Sequence, residues 1–305
     1  MGQKHSNGYS LICDCNHGLT SDHEKDRNCS KTGPMLQKAE NISFKPSDIL
    51  LTIKMKWLIM FVCSLPFCAL FACVAVALNM HYKEVMNTTS TWCPNIKGNR
   101  FASISMVVSI YYPERYIWEF AIVLHAAPRA LLGYANRHYF LLYYNYKKRR
   151  PFYRFFCNLI PIANYVELGC LVTLSLVGIM DNFPVHCTAF ITFLTAFLTS
   201  SISNLGVHGF SGIRRLSSRG NQAFWMKAAL LTVIISSVLL IIISYPAYAY
   251  YCKVWAYPTF TVCEYIVVVC VILVHGVAAF EMPDRVFIIS AGSLSTRDYS
   301  VPSVL

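Results

Sequence analysis

Charged residues are scarce in this 305-residue chain, at 13% of the total, whereas 55% of the residues are apolar. A soluble domain of this composition would expose too much hydrocarbon surface to stay in solution. The formal charge of +11 does not indicate nucleic-acid binding, because the lysines and arginines stand in short clusters beside apolar runs. The composition therefore predicts a membrane protein.

Standard catalytic and metal-binding motifs are also missing. The chain has no G-x-S-x-G, no H-E-x-x-H and no phosphate loop, and neither His125 nor His208 is followed by aspartate as in soluble-site glycerolipid acyltransferases. The spacing of the cysteines and histidines before residue 30 fits no zinc site, so we expect no metal. Any catalysis would need a different arrangement of residues.

Six apolar runs are long enough to cross a hydrocarbon core, which takes about 20 helical residues. We predict an all-α, six-transmembrane-helix bundle with helices at about 57–79, 117–141, 155–179, 187–207, 228–249 and 258–280. A polar segment of about fifty residues precedes the first run, so that run should act as a signal anchor and not as a cleaved signal peptide.

The distribution of positive residues predicts the orientation of these helices. Lys and Arg residues crowd the connections between helices two and three and between helices four and five, and they flank the start of helix one. The connection near Asp181 has none, and the one near Cys252 has only Lys253. Because positive residues stay in the cytosol, both termini should be cytosolic. We expect residues 1–50 to be a disordered cytosolic tail, 51–283 the transmembrane domain and 284–305 a cytosolic tail.

Three covalent modifications are suggested by local sequence. Asn87 begins the one glycosylation sequon in a predicted lumenal loop, and Gly2 matches the myristoylation pattern, although the match could be accidental. Cys93 and Cys252 both face the oxidising lumen in this topology and could form a disulfide. Cys187 is a rival partner, and two free thiols are the alternative.

Ionisable residues are unevenly distributed among the predicted spans, and at membrane depth such groups are costly unless they have a partner or a task. They lie on helices two, three and six, namely Glu119, His125, Arg129, Glu167, Glu264 and His275. These three helices should therefore enclose a polar interior.

The spacing within helix two places Trp118, His125 and Arg129 on one stripe. Arg129 should pair with Glu167 or Glu264, because an unpaired guanidinium at that depth is strongly disfavoured. Such buried pairs could simply fix helix register. Alternatively, a positive group beneath a lumenal opening would suit a phosphate or glycolipid head group, with His125 as a general base.

Two blocks in helix two carry a family resemblance: PERYIWEF at 113–120 and LHAAPR at 124–129. With Glu167, the pairs at 185–186, 189–190, 251–252 and 264–265, and His275, they make residues 50–290 resemble the post-GPI attachment to proteins factor 2 family of the Frag/DRAM/Sfk group. Cys187 and Thr188 replace an acidic-polar pair of that pattern, which leaves open a paralogue that acts on a different lipid.

The resemblance implies a six-helix protein of Golgi and ER membranes that remodels the lipid of GPI anchors, at the step where a lyso-GPI protein regains an acyl chain. It leaves open whether the chain is the acyltransferase or an accessory subunit; no cofactor is implied, but an enzyme would need an acyl donor. Its partners would be GPI-anchored proteins or glycolipid, membrane lipid and another membrane protein. We expect His125, Glu264 and Glu167 to be catalytic, and the head group to be bound by Arg129, Trp118, His186 and His275.

Two other hypotheses remain. A non-enzymatic membrane regulator or scaffold of lipid handling would depend on its lumenal loops and would tolerate loss of His125. A small-solute transporter is disfavoured, because the six predicted helices show no internal repeat and no matching pair of broken helices.

Overall fold

The computed structural model describes residues 49–86, 101–142, 150–282 and 285–290. Its elements, in chain order, are β1 (Ile49–Lys54), α1 (Met55–Met80), α2 (Tyr82–Met86), α3 (Ile104–Ser109), α4 (Glu114–Leu142), α5 (Arg150–Leu176), α6 (Phe183–Phe210), α7 (Ile213–Leu216), α8 (Ser218–Ala249), α9 (Ala256–Glu281) and β2 (Val286–Ser290). The predictions for Gly2, Asn87 and Cys93, and most of both predicted tails, lie outside the described residues.

Five of the described helices are long and apolar enough to cross a membrane: α1, α5, α6, α8 and α9. The remaining predicted span corresponds to α4, whose 29 residues are sufficient in length but carry more charge. The helical fold class is confirmed, and the chain is a multi-pass membrane protein. Whether α4 also crosses the membrane remains a prediction.

Each long helix begins before the apolar run that predicted it, but α5 ends at Leu176, about three residues before the predicted end. The largest difference is in α8, which begins at Ser218 and not near residue 228, because its first turns are polar. Asn182 caps α6 by accepting a hydrogen bond from the Val185 backbone N–H. After α6 the chain turns at Gly212, whose φ of 80° favours glycine.

Two short strands were missed by the sequence analysis. β1 pairs with β2, and the Met55 N–H donates to the Arg285 carbonyl at 2.8 Å. Residues 286–290 therefore join the segment that precedes α1. We call this side of the bundle, where α1 begins and α9 ends, the strand end.

The long helices pack as neighbours in the order α1–α4–α5–α6, and α9 packs against both α1 and α8. Contacts of Phe140 with Tyr153 and His208 bring the end of α4, the start of α5 and the end of α6 to the strand end. The beginnings of α4, α6 and α9 lie at the opposite end. Large apolar side chains such as Phe120, Ile191 and Ile242 point outward and are more than 60% exposed, as lipid contact requires.

Candidate functional site

A buried ionic centre joins α4, α5 and α9. Arg129 Nη2 donates a hydrogen bond to Glu167 Oε1 and lies 2.6 Å from His275 Nε2. Glu167 is fully buried, and the Arg129 side chain is 11% exposed. The three helices predicted to enclose a polar interior therefore do meet through these side chains, and of the two partners left open for Arg129 the structure selects Glu167.

The contacts of His275 favour one protonation state. Its Nε2 lies 2.6 Å from a guanidinium donor and 3.3 Å from Glu167 Oε1, and a single ring nitrogen cannot accept from the first and donate to the second. The shorter contact favours Nε2 as an acceptor, which leaves the proton on Nδ1. Neutral His275 then helps Glu167 to hold the Arg129 side chain in place.

His125 is fully buried one helical turn before Arg129. Its Nδ1 lies 2.7 Å from the Ile122 carbonyl oxygen, which can only accept, so Nδ1 carries a proton and donates it. In the neutral ring, Nε2 then has a free lone pair, and within the described part of the chain it has no hydrogen-bond partner. This is the arrangement of a base that is oriented but not yet engaged.

Glu264 lies at the opposite end of the bundle and holds the segment that leads into α3. Its carboxylate accepts hydrogen bonds from the Ile104 N–H at 2.9 Å, the Ser105 hydroxyl at 3.0 Å and the Ser105 N–H at 3.4 Å. It makes no described contact with Arg129. These contacts give Glu264 a structural task, and its catalytic role remains a prediction.

The other two predicted head-group ligands are engaged elsewhere. Trp118 donates through Nε1 to the Ser175 hydroxyl at 3.0 Å, which ties α4 to α5. His186 places Nδ1 2.7 Å from the Val177 carbonyl, near the start of α6, and its buried Nε2 has no partner among the described residues. Neither residue contacts Arg129 in the part of the chain that the structure describes.

A second ionic cluster, which the sequence analysis missed, lies at the strand end. Lys227 donates to Glu281 Oε2 at 2.6 Å and to Asn204 at 3.0 Å, and His208 Nδ1 lies 3.1 Å from Glu281 Oε1. In the sequence, Lys227 counts only as one of the positive residues in the connection between helices four and five, which predict the orientation of the helices. Glu281, an acid at the end of an apolar span, was the signal that could have revealed the pair.

A cleft connects the two ionic centres. It is lined at one end by Arg129 and His275, at the other by Lys227 and Asn204, and between them mainly by small polar and apolar side chains. The enclosed space that a water-sized molecule can occupy is about 70 Å³, and the empty volume reaches about 790 Å³ when the open mouth is included. The cleft therefore runs from the middle of the bundle toward the strand end.

Three further charged contacts lie at the opposite end. Arg115 donates to Asp181 Oδ2 at 2.7 Å and to Glu119 Oε1 at 2.8 Å, which links the start of α4 to the loop between α5 and α6. The hydrogen bond from Arg115 lowers the pKa of Asp181 below its ordinary value. Nearby in sequence, the fully buried Glu114 pairs with His81 Nδ1 at 2.8 Å.

No group of three or more His, Cys, Asp or Glu side chains that could hold a metal ion occurs within the described ranges. Cys252 forms a disulfide. Cys187, the other cysteine considered as a partner in this disulfide, is a free thiol. Because Cys93 lies outside the described residues, the pairing of Cys93 with Cys252 remains a prediction.

The fold and these centres define a multi-pass membrane protein with a polar interior. Comparison with known families is more specific: residues 54–285 match the Frag1/DRAM/Sfk1/Cwh43P N-terminal domain, and the chain belongs to this family. The resemblance seen in the two blocks of helix two is thus confirmed.

Named relatives share most of their length with this chain. It is 28% identical over 238 residues to the Post-GPI attachment to proteins factor 2 of Caenorhabditis briggsae, covering 75% of this chain and 85% of the relative. It is 29% identical to the Acyltransferase PGAP2 of Xenopus tropicalis, covering 73% and 85%. It is 26% identical to the Post-GPI attachment to proteins factor 2-like protein of Drosophila melanogaster, covering 75% and 69%. No solved structure matches the chain significantly.

Proposed function

We propose that this chain remodels the lipid of GPI anchors by transferring an acyl group to a lyso-GPI anchor in Golgi and ER membranes. Two relatives are named for post-GPI attachment and a third is named an acyltransferase. The substrates would be GPI-anchored proteins or their glycolipid, together with an acyl donor. The contacts of the ionic centre give no comparable support to a regulator that catalyses no reaction.

The observation that carries the chemistry is the free Nε2 of His125. Acyl transfer to a hydroxyl requires a base that removes the hydroxyl proton as the oxygen attacks the acyl carbonyl. The Ile122 carbonyl fixes the ring with its proton on Nδ1, so Nε2 can take that proton and then return it to the leaving group of the donor. General base catalysis of this kind contributes about 10²–10⁴-fold in rate.

Arg129, one turn from His125, supplies the second element of the site. A guanidinium can stabilise the negative charge that develops on the carbonyl oxygen during acyl transfer. Glu167 and His275 both contact its Nη2 and hold this group in one orientation. In this account Glu167 and His275 are positioning residues, and His125 and Arg129 contact the reacting atoms.

We further propose that α4 is the sixth membrane span and that the strand end faces the cytosol. Basic residues cluster at that end, including Lys54, Lys56, Arg154 and Arg214. His125 then lies in the lumenal half of the membrane, eleven residues from the start of α4. A lyso-GPI acceptor in the lumenal leaflet could reach it from that side.

Deletion and rescue in cells test this proposal. In cells lacking every member of this family, we expect a GPI-anchored reporter to be released into the medium, and wild-type protein to restore its retention. His125→Ala should fail to rescue at equal expression. His138→Ala is the matched control, because His138 is an exposed histidine on the same helix. Full rescue by His125→Ala would rule out His125 as the base.

A further inference from the structure

The cleft between the two ionic centres is not used by the acceptor side of the proposed reaction. It begins at Arg129 and His275, near the middle of the bundle, and extends about two helical turns to Lys227 and Met282 at the strand end. His125 does not line this cleft, so an acceptor hydroxyl that engages its Nε2 need not enter the cleft. The acceptor therefore leaves the cleft free for a second ligand.

The charges in this cleft cancel in pairs. Arg129 contacts Glu167, and Lys227 contacts Glu281, so each cation that lines the cleft has its own carboxylate. A site built for a free anion would leave a cation uncompensated. This balance favours an uncharged ligand within the cleft.

The unsatisfied polar atoms indicate what that ligand offers. Two buried side-chain atoms of the lining have no hydrogen-bond partner among the described residues: the donor Arg129 Nε and the acceptor Asn136 Oδ1. A buried donor of this kind calls for an acceptor oxygen. The rest of the lining combines the hydroxyl groups of Ser200 and Ser201 and the amides of three asparagines with apolar side chains such as Val62 and Leu231. A carbonyl group attached to a hydrocarbon chain fits the free donor of Arg129 and the apolar side chains of the lining.

We infer that this cleft binds the acyl donor, as an ester or thioester whose carbonyl oxygen accepts from Arg129 and whose hydrocarbon enters from the strand end. The inference rests on the proposed function and names its second substrate. Two sources share this chemistry: a coenzyme A thioester from the cytosol and a phospholipid of the cytosolic leaflet. Donor and acceptor would then reach the ionic centre from opposite ends of the bundle.

The transfer balances without a further reactant. The hydroxyl oxygen of the lyso-lipid forms an ester bond with the donor carbonyl carbon, and the bond from that carbon to the donor sulfur or oxygen breaks. The hydroxyl proton passes to His125 Nε2 and then to the departing thiolate or alkoxide. The acceptor gains the acyl chain, and the donor leaves as a thiol or a lyso-phospholipid.

Photo-crosslinking of the purified full-length protein in lipid nanodiscs tests this assignment. Two probes carry the same diazirine-bearing saturated acyl chain, one as its coenzyme A thioester and one as a phosphatidylcholine. Labelled positions are mapped by peptide mass spectrometry, with excess unlabelled donor as competitor. We expect competable labelling on cleft-lining residues such as Val62, Leu231 or Met282 by at least one probe, and the probe that labels identifies the source.

A filled cleft provides the second measurement. Gly133 lines the cleft, and a Cβ added there would meet Asn164 and Tyr165 at 3.6 and 3.7 Å, which is ordinary contact for that one atom. Gly133→Leu adds further carbon atoms beyond the Cβ, so its folding is checked by size-exclusion chromatography before labelling. Gly169→Leu on α5 is the matched control, because nothing lies within 4 Å of its added Cβ. Ser201→Leu is a second filling variant if Gly133→Leu does not fold. We expect a filled cleft to reduce labelling and reporter retention at least 10-fold, and the control to change neither.

The outcomes separate this inference from the proposed function. Labelling by neither probe, or labelling confined to the opposite end near Trp118, would overturn the inference even if wild-type protein restores reporter retention. Loss of retention without loss of labelling in Gly133→Leu would also contradict it. If wild-type protein fails to restore retention, the proposed function fails first, whatever the probes label.

Discussion

Arg129 in α4 donates a hydrogen bond to Glu167 in α5, and the pair joins the two helices near the middle of the bundle. His275 in α9 contacts both residues, so three helices depend on one buried charge pair. The pair is both a structural bond between helices and the element that orients the guanidinium of the proposed site.

Removing one member of this pair should destabilise the protein. Arg129→Met leaves the fully buried Glu167 carboxylate without its cation, which costs about 3–5 kcal/mol. The double variant Arg129→Met/Glu167→Met should recover most of that stability but not the reporter retention in cells. Thermal unfolding in detergent measures the first effect. A single variant as stable as wild type would contradict the importance given to the pair.

Glu264→Gln should act on stability and not on chemistry. The carboxylate holds the first turn of α3 through Ile104 and Ser105, and loss of its charge weakens these hydrogen bonds by about 1–3 kcal/mol. Ser105→Ala, which removes one of the donors, should have a smaller effect in the same direction. Normal thermal stability combined with complete loss of activity in Glu264→Gln would restore the catalytic role predicted from sequence.

The Lys227 and Glu281 pair can be tested by charge exchange. Lys227→Glu places two carboxylates together in a buried site and should strongly reduce the yield of folded protein. Adding Glu281→Lys restores opposite charges in the reversed order and should recover much of the yield. Size-exclusion chromatography of fluorescently tagged protein measures both. If the double variant is as defective as the single, the contact between these two residues does not explain the defect.

The contact between Arg115 and Asp181 predicts a pH dependence of stability. Because Arg115 lowers the pKa of Asp181 in the folded state, this contact stabilises the protein above the unfolded pKa, near 3.8, and is lost as the pH falls through the lower folded value. The stability difference between wild type and Asp181→Asn should therefore be constant from neutral pH down to about pH 5. It should shrink only under more acidic conditions. Unfolding in detergent, measured across this pH range, checks the prediction. A stability difference that already changes between pH 7 and 6 would contradict it.

The disulfide of Cys252 should be formed with Cys93. Peptide mass spectrometry without reduction should find these two cysteines linked, and Cys187 should react with alkylating agents after unfolding without reduction. A linkage of Cys252 to another cysteine would remove the proposed tether between the first lumenal loop and the hairpin of α8 and α9.

The sequence was sufficient to predict the main helices and the gathering of α4, α5 and α9. Charges at membrane depth are so costly that Arg129, Glu167 and His275 had few alternatives to meeting one another. It could not choose between Glu167 and Glu264 as the partner of Arg129, because the choice depends on α3. A six-residue helix has no periodic signal, and its backbone N–H groups are what occupy Glu264.

The same limit explains the other omissions. Lys227 and Glu281 stand at the ends of apolar spans, where a charge is ordinarily exposed to water or head groups, so their pairing depends on the packing of α8 against α9. The strands at 49–54 and 286–290 are separated by the whole bundle in sequence and pair only once the helices are assembled. Their pairing is therefore a consequence of the fold that the helices build.

If this chain restores an acyl chain to GPI anchors, the number of acyl chains on the anchor lipid measures that step directly. A GPI-anchored reporter would be purified from cells lacking every member of this family, with and without the wild-type chain, and its anchor lipid analysed by mass spectrometry. We expect anchors with one acyl chain fewer in the deleted cells, and anchors with the complete set of acyl chains after rescue. An anchor lipid of the same composition in both would contradict it.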